Sequence, residues 1–159
     1  MKKIALTQGQ FALVDDDMFE ELNKFKWHAD KNYNTFYAVR NEGKSPHQKK
    51  IRMHRLIMGV TDGKIQIDHK YGNGLDNRKK NLRICTNSEN QRNKKSQIGG
   101  TSKYKGVSWK TLNNKWNSKI GINGGTIQIG LFINEIEAAK AYNLKATELF
   151  GEFARLNTF

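Results

Sequence analysis

Two stretches of the chain contain short apolar runs, and a strongly polar stretch lies between them. In the first stretch these runs are bounded by Gly, Asn and Asp, a pattern that predicts strands. The predicted strands are Lys3–Leu6, Gln10–Val14, Trp27–Ala29 and Phe36–Arg40. Asp15–Asp17 precede MFEELNKF and favour a helix start, with Phe19, Leu22 and Phe25 on one face. After a polar loop at 41–49, an extended run at Ile51–Met53 leads into a short helix, His54–Met58, that ends at Gly59.

The last third of the chain has a clearer pattern. Three alternating runs predict antiparallel strands at Val107–Lys110, Lys115–Ile120 and Thr126–Phe132, with Asn-rich turns at 113–114 and 123–125. Glu135–Phe150 follows with helical spacing and Gly151 as its C-cap. Its apolar positions are Ile136, Ala139, Tyr142, Ala146 and Leu149. We expect this helix to pack on the back of a three-stranded sheet, through Ala139, Tyr142 and Ala146.

The stretch 62–95 is poor in apolar residues and rich in Asn, Asp, His, Arg and Lys. Such a segment can stay ordered when its polar groups are held by a metal ion or by each other. A basic, Gly-containing run at 93–103 then predicts a linker. We therefore expect an α+β chain of two domains, 1–95 and 104–159, joined by a basic linker at 96–103.

Composition agrees with two small cores and indicates the partner. Of 159 residues, 36% are hydrophobic and 27% are charged, which suits two thin cores better than one thick core. The net charge is +13, and residues 51–100 contribute +7 of it, because they hold 11 Lys or Arg and 4 Asp or Glu. A charge of this sign favours a polyanionic partner, since cations that neutralise phosphates release counterions.

Cysteine usage and hydropathy suggest the compartment. Cys85 is the single cysteine, so no internal disulfide can form, and we expect it to be a small core residue. The first residues lack the apolar stretch of a signal peptide, and no apolar run has transmembrane length. We therefore expect a cytoplasmic protein with no membrane partner.

The polar stretch contains residue types suited to phosphodiester hydrolysis, which needs a base to deprotonate water and a metal ion to stabilise charge on phosphate. Asp68-His69 ends a predicted strand, and Asn81-Leu82-Arg83-Ile84 begins a second strand. Ser88–Arg92 then begins a helix, with Thr86 or Asn87 as candidate N-cap. Oxygen ligands of this kind suit Mg²⁺ or Mn²⁺ rather than zinc.

This run resembles the ββα-metal motif of the HNH nucleases, in the asparagine-rich subclass of phage and intron homing endonucleases. The pattern D-H, G-N-x-x-D-N-R, N-L-R and S-x-N-x-x-N matches, with His69 and Asn81 12 positions apart and Asn81 and Asn90 9 apart. The resemblance implies that His69 is the general base and that Asn81 orients its ring. It implies Asp68 and Asn90 as metal ligands, with a DNA phosphate and water completing the coordination. Asn93 is an alternative ligand, although three positions beyond Asn90 on a helix it is expected to face DNA or solvent. His54 is interpreted as a structural histidine, with a place near the site as the alternative.

Residues 103–159 resemble the plant ethylene-response (APETALA-type) DNA-binding domain. The resemblance rests on YKGVSW at 104–109, GLF at 130–132, EAAKAY at 137–142 and GEFARLN at 151–157. It implies that the sheet, rather than the helix, lies in the major groove. Trp109 or Trp116 would then pack on a sugar or a base. Candidate contacts to double-stranded DNA over both domains are Arg78, Lys79, Lys80, Arg83, Arg92, Lys94, Lys95, Lys105, Ser108, Trp109, Lys110, Lys115, Trp116 and Lys119.

Together these features predict a metal-dependent DNA endonuclease of the homing type, in which residues 1–95 cut and the C-terminal domain grips the target. A phage or other mobile element in a bacterial host is the expected source, and a monomer or weak dimer the expected state. One alternative is a DNA-binding regulator with an inactive nuclease domain. A basic RNA-binding protein is a weaker alternative, because no aromatic stacking motif is present.

Overall fold

A computed structural model describes residues 1–32, 35–94 and 99–159. The chain forms two compact units, Met1–Asn90 and Gln91–Phe159. Each unit combines antiparallel strands with helices, in agreement with the expected α+β class. The division falls within a short helix, whereas the sequence places a linker at 96–103. Part of that linker lies outside the described residues, so the predicted domain bounds stay a prediction.

The first unit is built from three small antiparallel sheets and short helices. Two strands form an N-terminal hairpin, three form a central sheet, and two form a second hairpin. In chain order the elements are β1 (Lys2–Ala5), β2 (Phe11–Val14), α1 (Asp16–Leu22), β3 (His28–Asn32), β4 (Thr35–Glu42), β5 (Lys49–Arg52), α2 (Met53–Ile57), β6 (Gln66–His69), β7 (Leu82–Cys85) and α3 (Asn87–Arg92). These positions agree with the predicted strands and helices to within a few residues.

The core of the first unit collects one or two side chains from each of its N-terminal elements. Ile4, Val14, Leu22, Trp27 and Met53 are almost fully buried in it. The indole of Trp27 also donates a hydrogen bond of 2.8 Å to the carbonyl of Leu22, which closes the end of α1. Each of these large side chains stabilises the unit by about 1.5–3 kcal/mol through removal from water. The central sheet and α2 are thereby fixed as a base for the second hairpin.

The second unit is a three-stranded antiparallel sheet with one helix packed on it. The strands β8 (Val107–Lys110), β9 (Lys115–Ile122) and β10 (Gly125–Phe132) lie in the order β10-β9-β8, and α4 (Glu135–Phe150) follows. Asn134 begins α4, because its side chain accepts from the backbone N–H groups of residues 136 and 137. These elements confirm the predicted arrangement of three strands and one helix.

Two details of the predicted helices differ. Phe25 lies beyond the end of α1 and is 41% exposed, because the helix ends at Leu22. Ile136, predicted on the buried face of α4, is 42% exposed. The buried face instead passes through Ala138, Ala139, Tyr142, Ala146 and Phe150. Within the described ranges, no helix is long and apolar enough to span a membrane.

Gly106 is required where α4 approaches the sheet. Its φ is +77°, and an added Cβ would lie 2.1 Å from the ring of Tyr142 and 2.6 Å from the carbonyl oxygen of Lys119. Gly124 has a matching φ of +78° but no atom near its Cβ position. A substitution at Gly124 therefore introduces backbone strain alone, whereas one at Gly106 introduces strain and steric overlap together.

We predict that Gly106→Ala lowers the free energy of unfolding of the second unit by about 3 kcal/mol or more, since strain and overlap add. Gly124→Ala, the matched control, should cost about 1–2 kcal/mol from strain alone. Urea unfolding followed by fluorescence of the sheet tryptophans measures both changes. Equal losses for the two variants would contradict the close approach of Tyr142.

Candidate active site

The second hairpin places Asp68 and His69 at the end of a buried strand. β6 and β7 pair so that Asp68 lies opposite Arg83 and His69 opposite Leu82. Asp68, the candidate metal ligand, and His69, the candidate general base, are both buried, with 6% and 5% of their surfaces exposed. The predicted strand–turn–strand order is therefore confirmed, and α3 follows directly after β7.

Asp68 is held by a buried ion pair with Arg83. Its Oδ2 accepts from Nη2 of Arg83 at 2.6 Å and from Nε at 3.0 Å. Arg83 is itself only 8% exposed and its guanidinium is engaged with Asp68, whereas the sequence predicts this residue as a contact to DNA. The physical reason is the hairpin register, which places this arginine directly across from the carboxylate. Arg83 compensates the buried charge of Asp68 and orients it.

Asn81 holds the loop between β6 and β7. Its Oδ1 accepts from the backbone N–H of Tyr71 at 3.0 Å, and its Nδ2 donates to the carbonyl of Asp76 at 2.7 Å. The side chain is fully buried. The amide is thus engaged with loop backbone at both ends, and any orienting effect on His69 passes through the loop.

The same loop is tied to the N-terminal hairpin. Leu13 donates its N–H to the carbonyl of Leu75 and accepts from the N–H of Asn77, both at 2.8 Å. This parallel pairing sets residues 75–77 along the edge of β2. Asp76 then forms a two-point ion pair with Arg78, at 2.7 and 2.6 Å, which lowers the pKa of its carboxyl. Arg78, a predicted DNA contact, therefore has one carboxylate partner within the site.

His69 lies in a cluster of three rings that the sequence did not predict. Its ring centroid is 5.1 Å from that of His54 and 5.7 Å from that of Tyr37, and His54 and Tyr37 are 5.5 Å apart. His54 comes from α2 and Tyr37 from β4, so three separate elements converge here. His54 is therefore in contact with the candidate base, beyond the structural role interpreted from sequence.

The ring of His69 is neutral at neutral pH. Burial lowers its pKa, while the neighbouring Asn77 side chain and the charges of Asp68 and Asp76 oppose the shift. A neutral imidazole carries the lone pair that a general base requires. Asn77, 1% exposed, is a second residue near the base that sequence reasoning missed. It was visible only as part of the D-N-R run, which is equally typical of a turn.

Asn90 is set by the start of α3. The backbone N–H and hydroxyl of Thr86 donate to Glu89 at 2.7 and 2.8 Å, and Glu89 N–H donates back to Thr86 at 3.2 Å. This reciprocal capping box identifies Thr86 as the N-cap, one of the two predicted candidates. The Asn90 amide nitrogen donates to the side chain of Gln66 at 2.8 Å, which leaves its oxygen for another ligand.

The donor set fits a hard divalent cation. Asp68 has a carboxylate and Asn90 has an amide whose nitrogen donates to Gln66, and these are the ligand types that the sequence resemblance implies. Oxygen donors of this kind suit Mg²⁺ or Mn²⁺. Among the described residues no group of three or more His, Cys, Asp or Glu could hold a metal ion.

The remaining cations predicted to contact DNA occupy different environments. Lys79 is 54% exposed and pairs with Asp17, and Lys80 and Lys94 are exposed. Arg92 stacks on the ring of Phe150 at 4.5 Å. Lys105 donates to the carbonyl oxygens of Arg92 and Lys94, and burial lowers its pKa to about 8. The Lys105 ammonium thus forms hydrogen bonds within the second unit. Lys95 lies outside the described residues.

The two faces of the second unit's sheet differ in chemistry. Trp109 and Trp116 are cross-strand partners in a T-shaped contact at 5.0 Å. Because side chains alternate along a strand, Trp109 shares the face of buried Val107, and Trp116 that of buried Ser118. The tryptophans therefore lie on the helix side of the sheet, whereas the sequence predicts that Trp109 or Trp116 packs on a sugar or a base of the DNA. The opposite face carries Ser108, Lys110, Lys115 and Lys119.

Cys85 occupies the end of β7 and is 7% exposed, as expected for a small core residue. Burial raises the pKa of its thiol to about 11.

We predict that acid destabilises the first unit through His54. Burial, followed by the charges of His69, Arg52 and Arg55, lowers its pKa to about 3 from the ordinary 6.5. Between these values the unfolded chain binds the proton more tightly. His54 therefore reduces stability as the pH falls below 6.5, by roughly 1.4 kcal/mol per pH unit until about pH 3. Above pH 6.5 this loss is absent.

The measurement is hydrogen exchange of buried β4 amides in the wild type and His54→Gln between pH 7 and 4.5. The wild type should lose stability relative to His54→Gln over this interval, whereas His47→Gln, a change in the exposed loop before β5, should follow the wild type. Parallel curves for wild type and His54→Gln would show that His54 is not buried in its neutral form.

Comparisons with known proteins cover the segment that contains the second hairpin and α3. The HNH endonuclease family matches residues 52–92, a range that contains α2, both strands of the second hairpin and α3. An uncharacterized HNH endonuclease of Acanthamoeba polyphaga mimivirus is 35% identical over 156 residues, which cover 94% of this chain and 76% of the relative. Because a relative of this identity spans most of both proteins, the chain belongs to the HNH endonuclease family.

Proposed function

We propose that this chain is a metal-dependent endonuclease of the homing type that hydrolyses double-stranded DNA at a recognised site. The observation that carries the proposal is the arrangement of Asp68 and His69 at the end of β6 with Asn90 on the helix after β7. A β-hairpin followed by a helix, with these residue types, has the element order of the ββα-metal motif that the sequence resemblance implies. Membership of the HNH endonuclease family supports the reaction class.

His69 is the proposed general base. Its buried, neutral imidazole accepts a proton from the attacking water, and the charges of Asp68 and Asp76 stabilise the imidazolium that forms. The rings of His54 and Tyr37 limit rotation of His69, and the loop braced by Asn81 sets the backbone beside it. A base held in one orientation needs little rearrangement when the phosphate arrives.

Asp68 and Asn90 are the proposed ligands of a single Mg²⁺ or Mn²⁺ ion. Arg83 orients Asp68 from one side, and Gln66 orients the Asn90 amide from the other. Such an ion, when bound, stabilises negative charge on the phosphate and on the leaving 3′ oxygen. The partners of each ligand are themselves part of the site, because they fix which oxygen is presented.

The second unit is proposed to bind the duplex through the polar face of its sheet, as an APETALA-type domain does. Ser108, Lys110, Lys115 and Lys119 share this face, and the register sets Lys110 opposite Lys115 and Lys119 opposite Gln128. A twisted antiparallel sheet of this width presents alternate side chains to a groove. A cleaving unit combined with a separate DNA-binding surface supports action at a selected site.

We predict that wild-type protein with Mg²⁺ or Mn²⁺ produces nicks or breaks in a duplex DNA library of random sequence. His69→Ala should cut about 10²–10⁴-fold more slowly, because the base is lost, yet bind DNA as the wild type does. Strand-specific end sequencing and a binding titration measure the two properties. His47→Ala, in the exposed loop before β5, is the matched control and should cut normally. Equal cleavage by wild type and His69→Ala would contradict the proposal.

We predict that replacing Lys110, Lys115 and Lys119 together by Ala weakens binding to duplex DNA and makes it less sensitive to salt. For every phosphate that is no longer neutralised, the slope of log K against log salt should fall by about 0.9. The triple Lys→Ala change is compared with Lys145→Ala, a change on α4, which lies on the other side of the sheet. A slope unchanged in the triple variant would exclude this face as the phosphate-binding surface.

A further inference from the structure

A cleft beside the proposed catalytic centre has one arginine whose role is unassigned. The cleft has a volume of about 260 Å³, and its walls include Tyr37, Arg52, His54, Gln66 and Asn90. All of these belong to the first unit. Ligand pockets usually measure about 300–1,000 Å³, so this cleft suits a group the size of a phosphate and its sugar. One wall therefore carries a proposed metal ligand, and another carries cationic side chains.

Two arginines line the cleft, and they differ in what they bind. Arg55 donates from Nη1 to the carbonyl of Ile65 at 2.8 Å and from Nη2 to the carbonyl of Asp62 at 2.5 Å. Its guanidinium therefore fastens the segment between α2 and β6. Among the residues that the structure describes, no group accepts a hydrogen bond or ion pair from the guanidinium of Arg52, which is exposed. Arg52 keeps its donors for a ligand.

The position of Arg52 is determined by the strand and the helix on either side of it. It ends β5 directly before buried Met53, and Ile51 on its other side packs against the core. Alternation along the strand sends Arg52 to the face opposite Ile51. Its backbone is extended, with φ −95° and ψ 131°, and serves as the N-cap of α2. The base of the side chain is thus anchored although its end is exposed.

The charges around the cleft indicate the kind of ligand that Arg52 can bind. Burial raises the pKa of Tyr37, the charge of Arg52 lowers it, and the charge of Asp68 raises it, so both charges act on the same hydroxyl. His54 is neutral above about pH 3 and adds no positive charge. A guanidinium presents a planar fork of donors that matches two oxygens of a phosphate.

We propose that Arg52 is a catalytic residue of the nuclease, and that its guanidinium binds the non-bridging oxygens of the phosphate that is cut. This inference rests on the function proposed above, because it requires the bond to break beside Asp68 and Asn90. Negative charge on those oxygens increases as water attacks, and a cation already in position stabilises the transition state more than bound DNA. Arg52 therefore acts mainly on kcat.

The test measures cleavage of the DNA fragments that wild-type protein cuts, with full-length Arg52→Ala, Arg52→Lys and Lys49→Ala. Lys49 is exposed at the other end of β5 and is the matched control. Arg52→Ala should lower kcat by about 10²-fold with little change in KM. Arg52→Lys, which keeps the charge but loses the fork, should fall between Arg52→Ala and wild type. Added guanidinium ion should partly restore Arg52→Ala and leave Lys49→Ala unchanged. Thermal unfolding checks that each variant is folded.

The outcomes separate this inference from the proposed function. If wild type cuts and His69→Ala cuts about 10²–10⁴-fold more slowly, the proposed function stands, and Arg52→Ala then decides the role of the arginine. A kcat within about threefold of wild type, well below the loss expected for a transition-state donor, overturns the inference. A raised KM with unchanged kcat also overturns it, since Arg52 would then bind a phosphate away from the reacting bond. A wild-type protein that cuts no DNA removes both proposals.

Discussion

The buried amide of Asn81 is the interaction on which the rest of the site depends. The loop between β6 and β7 has one large apolar anchor, Leu75, so it cannot be held by burial of hydrophobic surface. Its backbone groups are bound one by one instead. The backbone N–H groups of residues 70 and 71 donate to Asn81, and that of residue 72 donates to His69. The N–H of residue 74 donates to Thr35, those of residues 75 and 76 donate to Asn73, and that of residue 77 donates to Leu13. A polar loop satisfied in this way is rigid.

Because the loop is rigid, it fixes which arginine pairs with which carboxylate around His69. Arg78 forms an ion pair with Asp76. Arg83, on the opposite strand of the second hairpin, forms an ion pair with Asp68. The charges of Asp68 and Asp76 both act on His69, so they can stabilise its neutral ring once it is protonated. Removal of one member of such a buried pair leaves an uncompensated charge, which is strongly destabilising. Arg78 and Arg83 are therefore needed to keep the two carboxylates in place, although neither takes part in the proposed chemistry.

Local pattern predicted most of the elements, because strands and helices depend on nearby residues. The period-two runs at 107–132 and the helical spacing at 135–150 agree with the observed strands and helix. So do the strand ending at His69 and the capping of α3 by Thr86. A resemblance over matched spacings also selected Asp68, His69, Asn81 and Asn90.

The partners of those residues could not be predicted, because they depend on contacts between distant segments. His54 and Tyr37 contact His69 from other elements. Asn77 is positioned by a backbone hydrogen bond to Leu13, in β2 of the N-terminal hairpin. Arg83 is expected at the surface because it is a basic residue in a basic segment, and the burial that the structure shows depends on the strand register, which pairs it with Asp68. Alternation along β8 could have placed Trp109 on the face of Val107 from sequence alone.

The central claim is that Asp68 and Asn90 bind a divalent cation beside a fixed His69. Paramagnetic broadening by Mn²⁺ in NMR spectra of the full-length protein tests it most directly. Substoichiometric Mn²⁺ should broaden the side-chain amide of Asn90 and the backbone amides of Asp68 and His69 first. Asp68→Ala should abolish this effect. Broadening that begins elsewhere, or that persists unchanged in Asp68→Ala, would contradict the claim.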